Sequence, residues 1–365
     1  MLKRLTIKNY RCFRDAEFEF GPSPSELLLG KNGSGKSTLL RVLVLLQKII
    51  TGEETKAESL FSLDDHTFKN TAEIHIGVEL LFQNVTYIYQ FSVGAEKETL
   101  VRNESLVIDG KHAFQRVRSK PPSTKLDVDV FTPSSGNRYV LTPEIFGIYL
   151  YTDQSIQVMR EWFKKALFIG PVPSKITGES TGRTTPSLVP NCSNFADWFS
   201  SQINTQPSLA TSINEHLKKH TDFNDFQNVP IGETRRLLRL VYEGQPPISF
   251  EEVSDGEKIF FLGAVVLALV EKQSLSFCLW DEPDNFLSLH EVQHFIVGLR
   301  KMGRQGTQLL VTSHHPETVG CFSPENTRVM RRDNRDSKTT LAKLEDIEVI
   351  GGDTVTALAL GELYD

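Results

Sequence analysis

The chain has 365 residues, a formal net charge of −6, and apolar and charged fractions of 39% and 24%. That is enough for one large domain or two with an ample core. The acidic balance leaves no nucleic-acid footprint over the molecule as a whole and confines any such surface to a local patch. The start, Met1-Leu-Lys-Arg-Leu-Thr, is basic but lacks an apolar h-region, so no signal peptide is expected. The longest apolar run, Ile259 to Val270, is too short to span a bilayer and reads as a buried helix. Four cysteines (Cys12, Cys192, Cys278 and Cys321) lie far apart without a C-x-x-C pair, the pattern of reduced thiols in a cytoplasm.

In chain order, Leu2 to Asn9 alternates with β-branched content and predicts a strand, with Glu17 to Phe20 as its partner. Gly21-Pro22-Ser23-Pro24 is a turn into the apolar run Leu27-Leu28-Leu29, a buried strand. Ser37 to Ile50 has helical periodicity. A polar stretch, 51–71, precedes an antiparallel meander from Ala72 to about Tyr139, with Asn84 and Asp109-Gly110 as hairpin turns. Composition shifts near Thr142. Asp153 to Lys165 predicts a helix and Ala166 to Ile169 a short strand. Gly170 to Pro190, rich in Thr, Ser, Gly and Pro, reads as a mobile loop. Asn194 to Asn204 and Ser208 to His220 are helical, and Arg236 to Tyr242 and Ile248 to Glu252 return to strand. The chain ends as α/β: a helix from Gly256, strand Phe277 to Trp280, a helix from Ser288, strand Gln308 to Thr312. No repeat or long heptad array is present.

Gly30, Gly35, Lys36 and Ser37 fill G-x-x-x-x-G-K-[ST] between a predicted strand and helix. A polyphosphate has to be wrapped by backbone N–H groups, and few β-carbons can be tolerated there. Gly33 and Gly35 supply that freedom, and the helix N-terminus adds its positive dipole end. Lys36 offers a charge for the β and γ oxygens, and the Ser37 hydroxyl a hard ligand for Mg²⁺. Further along, Ser276-Phe-Cys-Leu-Trp-Asp281-Glu282 is an apolar strand ending in two acids. Asp281 can hold Mg²⁺, directly or through water, and Glu282 can polarise a water for attack on the γ-phosphate. Val253-Ser254-Asp255-Gly256-Glu257-Lys258 opens a helix and reads in two ways: an anion site, or a plain capping box of Ser254 with Glu257. The cap is the reading that sequence physics favours. Val311-Thr-Ser-His314-His315 closes a strand, where His314 could contact a γ-phosphate.

The order of these stations resembles the ABC-type ATPase heads of the RecF/SMC/OLD group. Ile7-Lys-Asn-Tyr-Arg-Cys-Phe is similar to that group's "nfrsf" start, and Gly30-Lys-Asn-Gly-Ser-Gly-Lys-Ser-Thr to its G-x-N-G-x-G-K-S-T. Ser193-Asn-Phe-Ala-Asp-Trp-Phe resembles a "sNla" helix of its small ATPases. The resemblance implies an α/β P-loop NTPase with an N-terminal antiparallel β lobe and a largely helical insert. One composite head is expected over 1–345: phosphate loop and β lobe in 1–141, helical insert in 142–245, signature and acid-bearing lobe in 246–345, then a tail, 346–365. ATP and Mg²⁺ are the implied ligands. Gly30, Lys31, Asn32, Gly33, Ser34, Gly35, Lys36, Ser37 and Thr38 are the implied Walker A ligands, and Asp281 joins Ser37 at the metal. Glu282 is the implied catalytic glutamate and His314 the switch histidine. Ser254 and Gly256 are the implied signature residues, acting across a head-to-tail homodimer or higher oligomer.

The signature reads Val-Ser-Asp-Gly-Glu rather than Leu-Ser-Gly-Gly-Gln, the D-loop aspartate expected near Ser288 is absent, and Gln47 and Gln83 are the candidate Q-loop glutamines. The heads of this group act on DNA or gate an effector nuclease, often in phage defence. With some twenty residues after Ala342, an effector is expected to be a separate protein. The rival readings are a RecF-like DNA-repair ATPase and a module that binds nucleotide without turning it over. His290-Glu-Val-Gln-His294 matches the H-E-x-x-H zinc pattern, but without a third ligand it reads as a structural helix. Arg235-Arg236 and Arg328 to Arg335 are the densest basic clusters, read as solvated surface rather than a DNA track.

Overall fold

The computed structural model describes residues 1–65, 73–95, 99–117, 128–131, 138–220, 223–332 and 338–347, with 357 and 363. Among these residues the strands form three sheets. The first is an eight-stranded antiparallel meander built from Leu2–Tyr10, Phe13–Glu19, Ile74–Phe82, Val85–Ala95, Thr99–Ile108, Lys111–Val117, Val128–Phe131 and Arg138–Leu141. Its hairpins turn where the short polar residues predict. Gln83 and Asn84 have φ of 45° and 68°, and Asp109 and Gly110 have φ of 45° and 75°. Paired positive φ is the two-residue turn whose twist matches the flanking strands.

The second sheet carries the chemistry. Its order is Ala166–Ile169, Phe277–Asp281, Gln308–Thr312, Ser25–Gly30, Thr327–Arg331, Thr340–Lys343, parallel except for the last pair. Both faces are covered, as a parallel sheet requires. Leu28, Phe277, Leu279, Leu310 and Met330 point into a core shared with the phosphate-loop helix Lys36–Thr51 and the meander. Leu27, Leu29, Cys278, Trp280, Leu309, Val311 and Val329 point the other way, onto helices Asp255–Glu271 and Leu289–Arg300. Helix Asp255–Glu271 is apolar almost all round because it lies under this sheet and is buried along its length. Among the described residues no helix is long and apolar enough to cross a membrane.

Gln308 joins the first two sheets. Its Oε1 accepts from the Leu2 N–H at 2.7 Å and its Nε2 donates to the Leu2 carbonyl at 3.1 Å, so the side chain imitates a neighbouring strand. The stretch 142–245 serves two places. Helix Gln154–Lys164 and strand Ala166–Ile169 belong to the head, where Arg160 donates to the Ile50 carbonyl. Helices Phe195–Thr205 and Leu209–His220 with the three-stranded sheet Phe223–Ile231, Arg235–Tyr242, Ile248–Ser249 form the insert proper. The predicted strand from 248 thus stops at Ser249, and strands 223–231, 327–331 and 340–343 are additions to the sequence reading. The segment 170–190 is tied along its length. Gly170 N–H donates to the Pro190 carbonyl, Thr181 bonds Asp197, and Ser180 N–H meets the Arg236 carbonyl. It is a strap between head and insert.

Candidate functional site: a phosphate loop beside two acids

The buried strand Ser25–Gly30 delivers the chain to the loop, and helix Lys36–Thr51 takes it away. The helix N-cap is Gly35, at φ 117°, and it supplies no capping side chain. The first-turn N–H groups are therefore left for a ligand. Gly33 also sits at positive φ, 80°. A β-carbon on Gly35 would run into the Phe13 ring and reach Cys12 Sγ at 3.0 Å, so the close packing as well as the backbone demands glycine. Ser34 folds the loop through its N–H to the Lys31 carbonyl, 3.0 Å, while its buried hydroxyl has no partner among the described residues. Asn32 is exposed, and Thr38 Oγ1 accepts from Cys12 Sγ at 3.4 Å. Lys36 is only 7% exposed and donates from Nζ to the Gly30 carbonyl at 2.6 Å. Burial lowers its pKa, with Glu282 and Asp281 opposing the shift. The ammonium is thus held by a carbonyl, with no direct counter-ion among the described residues.

Strand register brings the acids to this loop. Phe277–Asp281 lies next to Gln308–Thr312, which lies next to Ser25–Gly30, with Asp281 opposite Thr312 and Thr312 opposite Leu28. All three run parallel, so their carboxyl ends open on one crevice, the usual ligand position in such sheets. Asp281 accepts from the Ser37 hydroxyl at 2.8 Å on one oxygen and from the Thr312 hydroxyl on the other. Glu282 has left-handed backbone, φ 51°, and its N–H donates to the Thr312 carbonyl at 3.0 Å. Its carboxylate meets His314 Nδ1 at 3.1 Å and accepts from Asn285 Nδ2 at 2.7 Å. A cleft of about 640 Å³ opens beside Ser37, rimmed by Tyr10, Arg41, Lys48 and Asn191.

Ser254 and Gly256 are held elsewhere. Ser254 is exposed and caps helix Asp255–Glu271 in a capping box with Glu257, as the sequence physics favours. Gly256 packs on the turn at Phe286, where a β-carbon would come to 2.9 Å from the Phe286 carbonyl oxygen. Ser288, where the D-loop aspartate would stand, caps helix Leu289–Arg300. Both Q-loop candidates are corrected. Gln47 Nε2 donates to the Phe163 and Ala166 carbonyls, at 2.7 and 2.9 Å, which pins one helix to the next strand. Gln83 occupies a hairpin turn. The backbone that passes Asp281 is Gly170, whose added β-carbon would lie 3.3 Å from Asp281 Cβ.

The H-E-x-x-H pattern is a helix start. Glu291 completes the capping box with Ser288, His294 Nδ1 lies 3.2 Å from the His290 carbonyl, and the described residues hold no group of three metal-binding side chains. The basic clusters divide: Arg235 lies on the surface as read, 54% exposed, while Arg328 is buried and corrects that reading at its own position. Arg235 pairs with Glu179, Arg236 donates to the Asn228 carbonyl, and Arg328 is buried against Glu26 at 3.1 Å. Arg331 and Arg332 donate to the Leu363 and Cys12 carbonyls. Arg335 lies outside the described residues.

Sequence reasoning missed Thr312, Asp284 and Asn285. Asp284, 3% exposed, accepts from the Ser313 and Thr318 hydroxyls and so ties the turn after Glu282 to the segment carrying His314. An uncapped helix N-terminus, a buried lysine without a direct counter-ion, and a hydroxyl beside a carboxylate together suit a nucleoside triphosphate with Mg²⁺.

The profile of the RecF/RecN/SMC N-terminal domain family matches residues 1–338. The OLD nuclease of Thermus scotoductus is a curated relative, 46% identical over 46 residues. That match spans 13% of this chain and 8% of the relative. An Smc head solved bound to the C-terminal winged-helix domain of ScpA has a TM-score of 0.57 at 13% identity, covering 94% of this chain and 99% of that one. An Smc head with an extended coiled coil, bound to the C-terminal domain of ScpA derived from Pyrococcus furiosus, has a TM-score of 0.52 at 13% identity. It covers 94% of this chain and 97% of its own. At such identities the likeness concerns the fold. With its phosphate loop, paired acids and a family match running from residue 1 to 338, the chain belongs to the RecF/RecN/SMC N-terminal domain family and has the P-loop NTPase fold of its ABC-type heads.

Proposed function

We propose that this chain is an ATPase that closes head to tail on a second copy around two MgATP, and that the closed pair switches a separate effector. The observation that carries the reading is the convergence of Ser37 on Asp281 at 2.8 Å and His314 on Glu282 at 3.1 Å, beside a buried lysine. Lys36 would gain the negative partner it lacks when β and γ oxygens arrive. Ser37 and Asp281 would hold Mg²⁺, which when bound neutralises phosphate charge. Glu282 accepts the proton of the attacking water as its oxygen bonds to the γ-phosphorus and the bond to the β–γ bridging oxygen breaks, releasing ADP. Ser254 and Gly256, exposed and half-exposed at a helix start, suit the γ-phosphate held by a second copy.

Closing and opening would give two states for a partner to read. A nuclease effector in prokaryotic anti-phage defence is the partner class we favour, on the local similarity to an OLD nuclease. Slow or partner-stimulated turnover suits such a switch, and the acidic net charge of −6 argues against a RecF-like role with DNA as the direct ligand. Phosphate release tests the enzyme: turnover that is lost in both Lys36→Ala and Glu282→Gln supports it. Nucleotide binding without any release, with or without a co-purifying partner, would leave a binding module instead.

A further inference from the structure

Glu282 stands in a left-handed backbone at the head of a turn, where nothing in its own strand fixes its side chain. Two neighbours do so. Asn285 Nδ2 donates to Oε2 at 2.7 Å, and His314 Nδ1 lies 3.1 Å from Oε1. Each oxygen keeps a further lone pair for a water. The two arms come from different segments, the turn 282–287 and the segment after strand Gln308–Thr312. Their spacing is set by buried Asp284, which accepts from the Ser313 and Thr318 hydroxyls, while Ser313 Oγ in turn accepts from the His315 N–H at 2.9 Å. The turn is further closed by Asn285 N–H to the Glu282 carbonyl and Leu287 N–H to the Asp284 carbonyl, both 3.3 Å.

We propose that Asn285 is a positioning residue, its carboxamide holding the Glu282 carboxylate in the plane from which that group meets the attacking water. The inference rests on the proposed role of Glu282 and adds the residue that aims it. Asn285 is exposed, so its amide is not there to fill a core. Its one described side-chain hydrogen bond is the one to Glu282. A carboxylate released from one of its two partners samples other rotamers, and misplacement of a reacting group by about 1 Å costs on the order of 100-fold in rate.

The test uses the full chain with MgATP and reads nucleotide affinity, mass by light scattering, and single-turnover phosphate release. Asn285→Ala should keep affinity and ATP-dependent mass while turnover falls on the order of 10- to 100-fold. Asn285→Asp keeps the shape but sets a second acceptor against Glu282, so it should be no better than Ala, whereas a role in shape alone would leave Asp at wild-type turnover. In the Glu282→Gln background, Asn285→Ala should add little further loss, because both changes remove the same function. If Glu282→Gln lowers turnover by about 100-fold or more but both Asn285 variants stay within about twofold of wild type, the inference is overturned while the ATPase reading stands. It is equally overturned if the Asn285→Ala loss persists at full size in the Glu282→Gln background. A wild-type chain without turnover overturns both.

Discussion

Two charge clusters among the described residues, one in the β lobe and one at the phosphate loop, are built to opposite ends. In the β lobe, Glu104 and Arg116 are fully buried. Glu104 accepts from the Tyr89 hydroxyl at 2.9 Å and from the N–H groups of Gly147 and Ile148 at 2.7 and 2.9 Å, with Arg116 Nη1 at 3.4 Å. Arg116 donates from Nη1 to the Ile145 carbonyl and from Nη2 to the Thr142 carbonyl, and its Nε has no partner among the described residues. Burial raises the Glu104 pKa and lowers that of Arg116, and each is opposed by the other. The cluster fastens the passage out of the meander, residues 142–148, and each of its charges faces an opposite charge from within the fold, the Glu104 carboxylate with three further donors besides. At the phosphate loop, among the described residues, Lys36 has a carbonyl, Ser34 an unpartnered hydroxyl, and the helix N-terminus no capping side chain. Charge sealed by its own partners is scaffold. Charge left short of partners at the end of a parallel sheet is what the proposed nucleotide would complete.

That contrast can be broken by substitution. The largest effect is expected at the open cluster and should fall on rate alone. Glu282→Gln should lower phosphate release by about 10²- to 10⁴-fold with the melting temperature unmoved; an equal loss of folded protein would erase the distinction. At the sealed cluster the order reverses. Glu104→Ala leaves Arg116 buried without its carboxylate and should cost about 3–5 kcal/mol in denaturant unfolding, while the folded fraction keeps its turnover per molecule. Ligand should also tell the two apart. MgATP at about 100 times its dissociation constant should stabilise the chain by about 2.7 kcal/mol, and Lys36→Ala should abolish that gain. The smallest effect belongs to Ser254→Ala. Loss of the cap should cost about 1 kcal/mol, yet ATP-dependent association should disappear; retained association would leave Ser254 a cap and nothing more.

How far the sequence could be read follows the same division. Local chemistry was visible: Asn84 and Asp109-Gly110 mark hairpins because short polar residues and glycine accept positive φ. Asp153 and Ser254 mark helix starts because their oxygens cap. Strand Thr327–Arg331 was hidden because its arginines looked like surface charge; only the neighbouring strand, bearing buried Glu26, makes Arg328 a core residue. Strand Phe223–Ile231 was hidden by Asn, Asp and Pro in a polar-facing edge. Walker-type residues could be named from spacing. Thr312, Asp284 and Asn285 could not, because their partners are fixed by the pairing of strands about thirty residues apart and by a turn whose shape depends on Glu282 being left-handed.

In the proposed switch Lys36, Ser37, Asp281 and Glu282 form half of a site that a second copy completes. Light scattering of Glu282→Gln in saturating MgATP reads that pairing as mass. The expected mass is twice the 41.2 kDa of one chain, collapsing to one when Lys36→Ala is added. A Glu282→Gln variant that stays at 41.2 kDa with its nucleotide bound would contradict it.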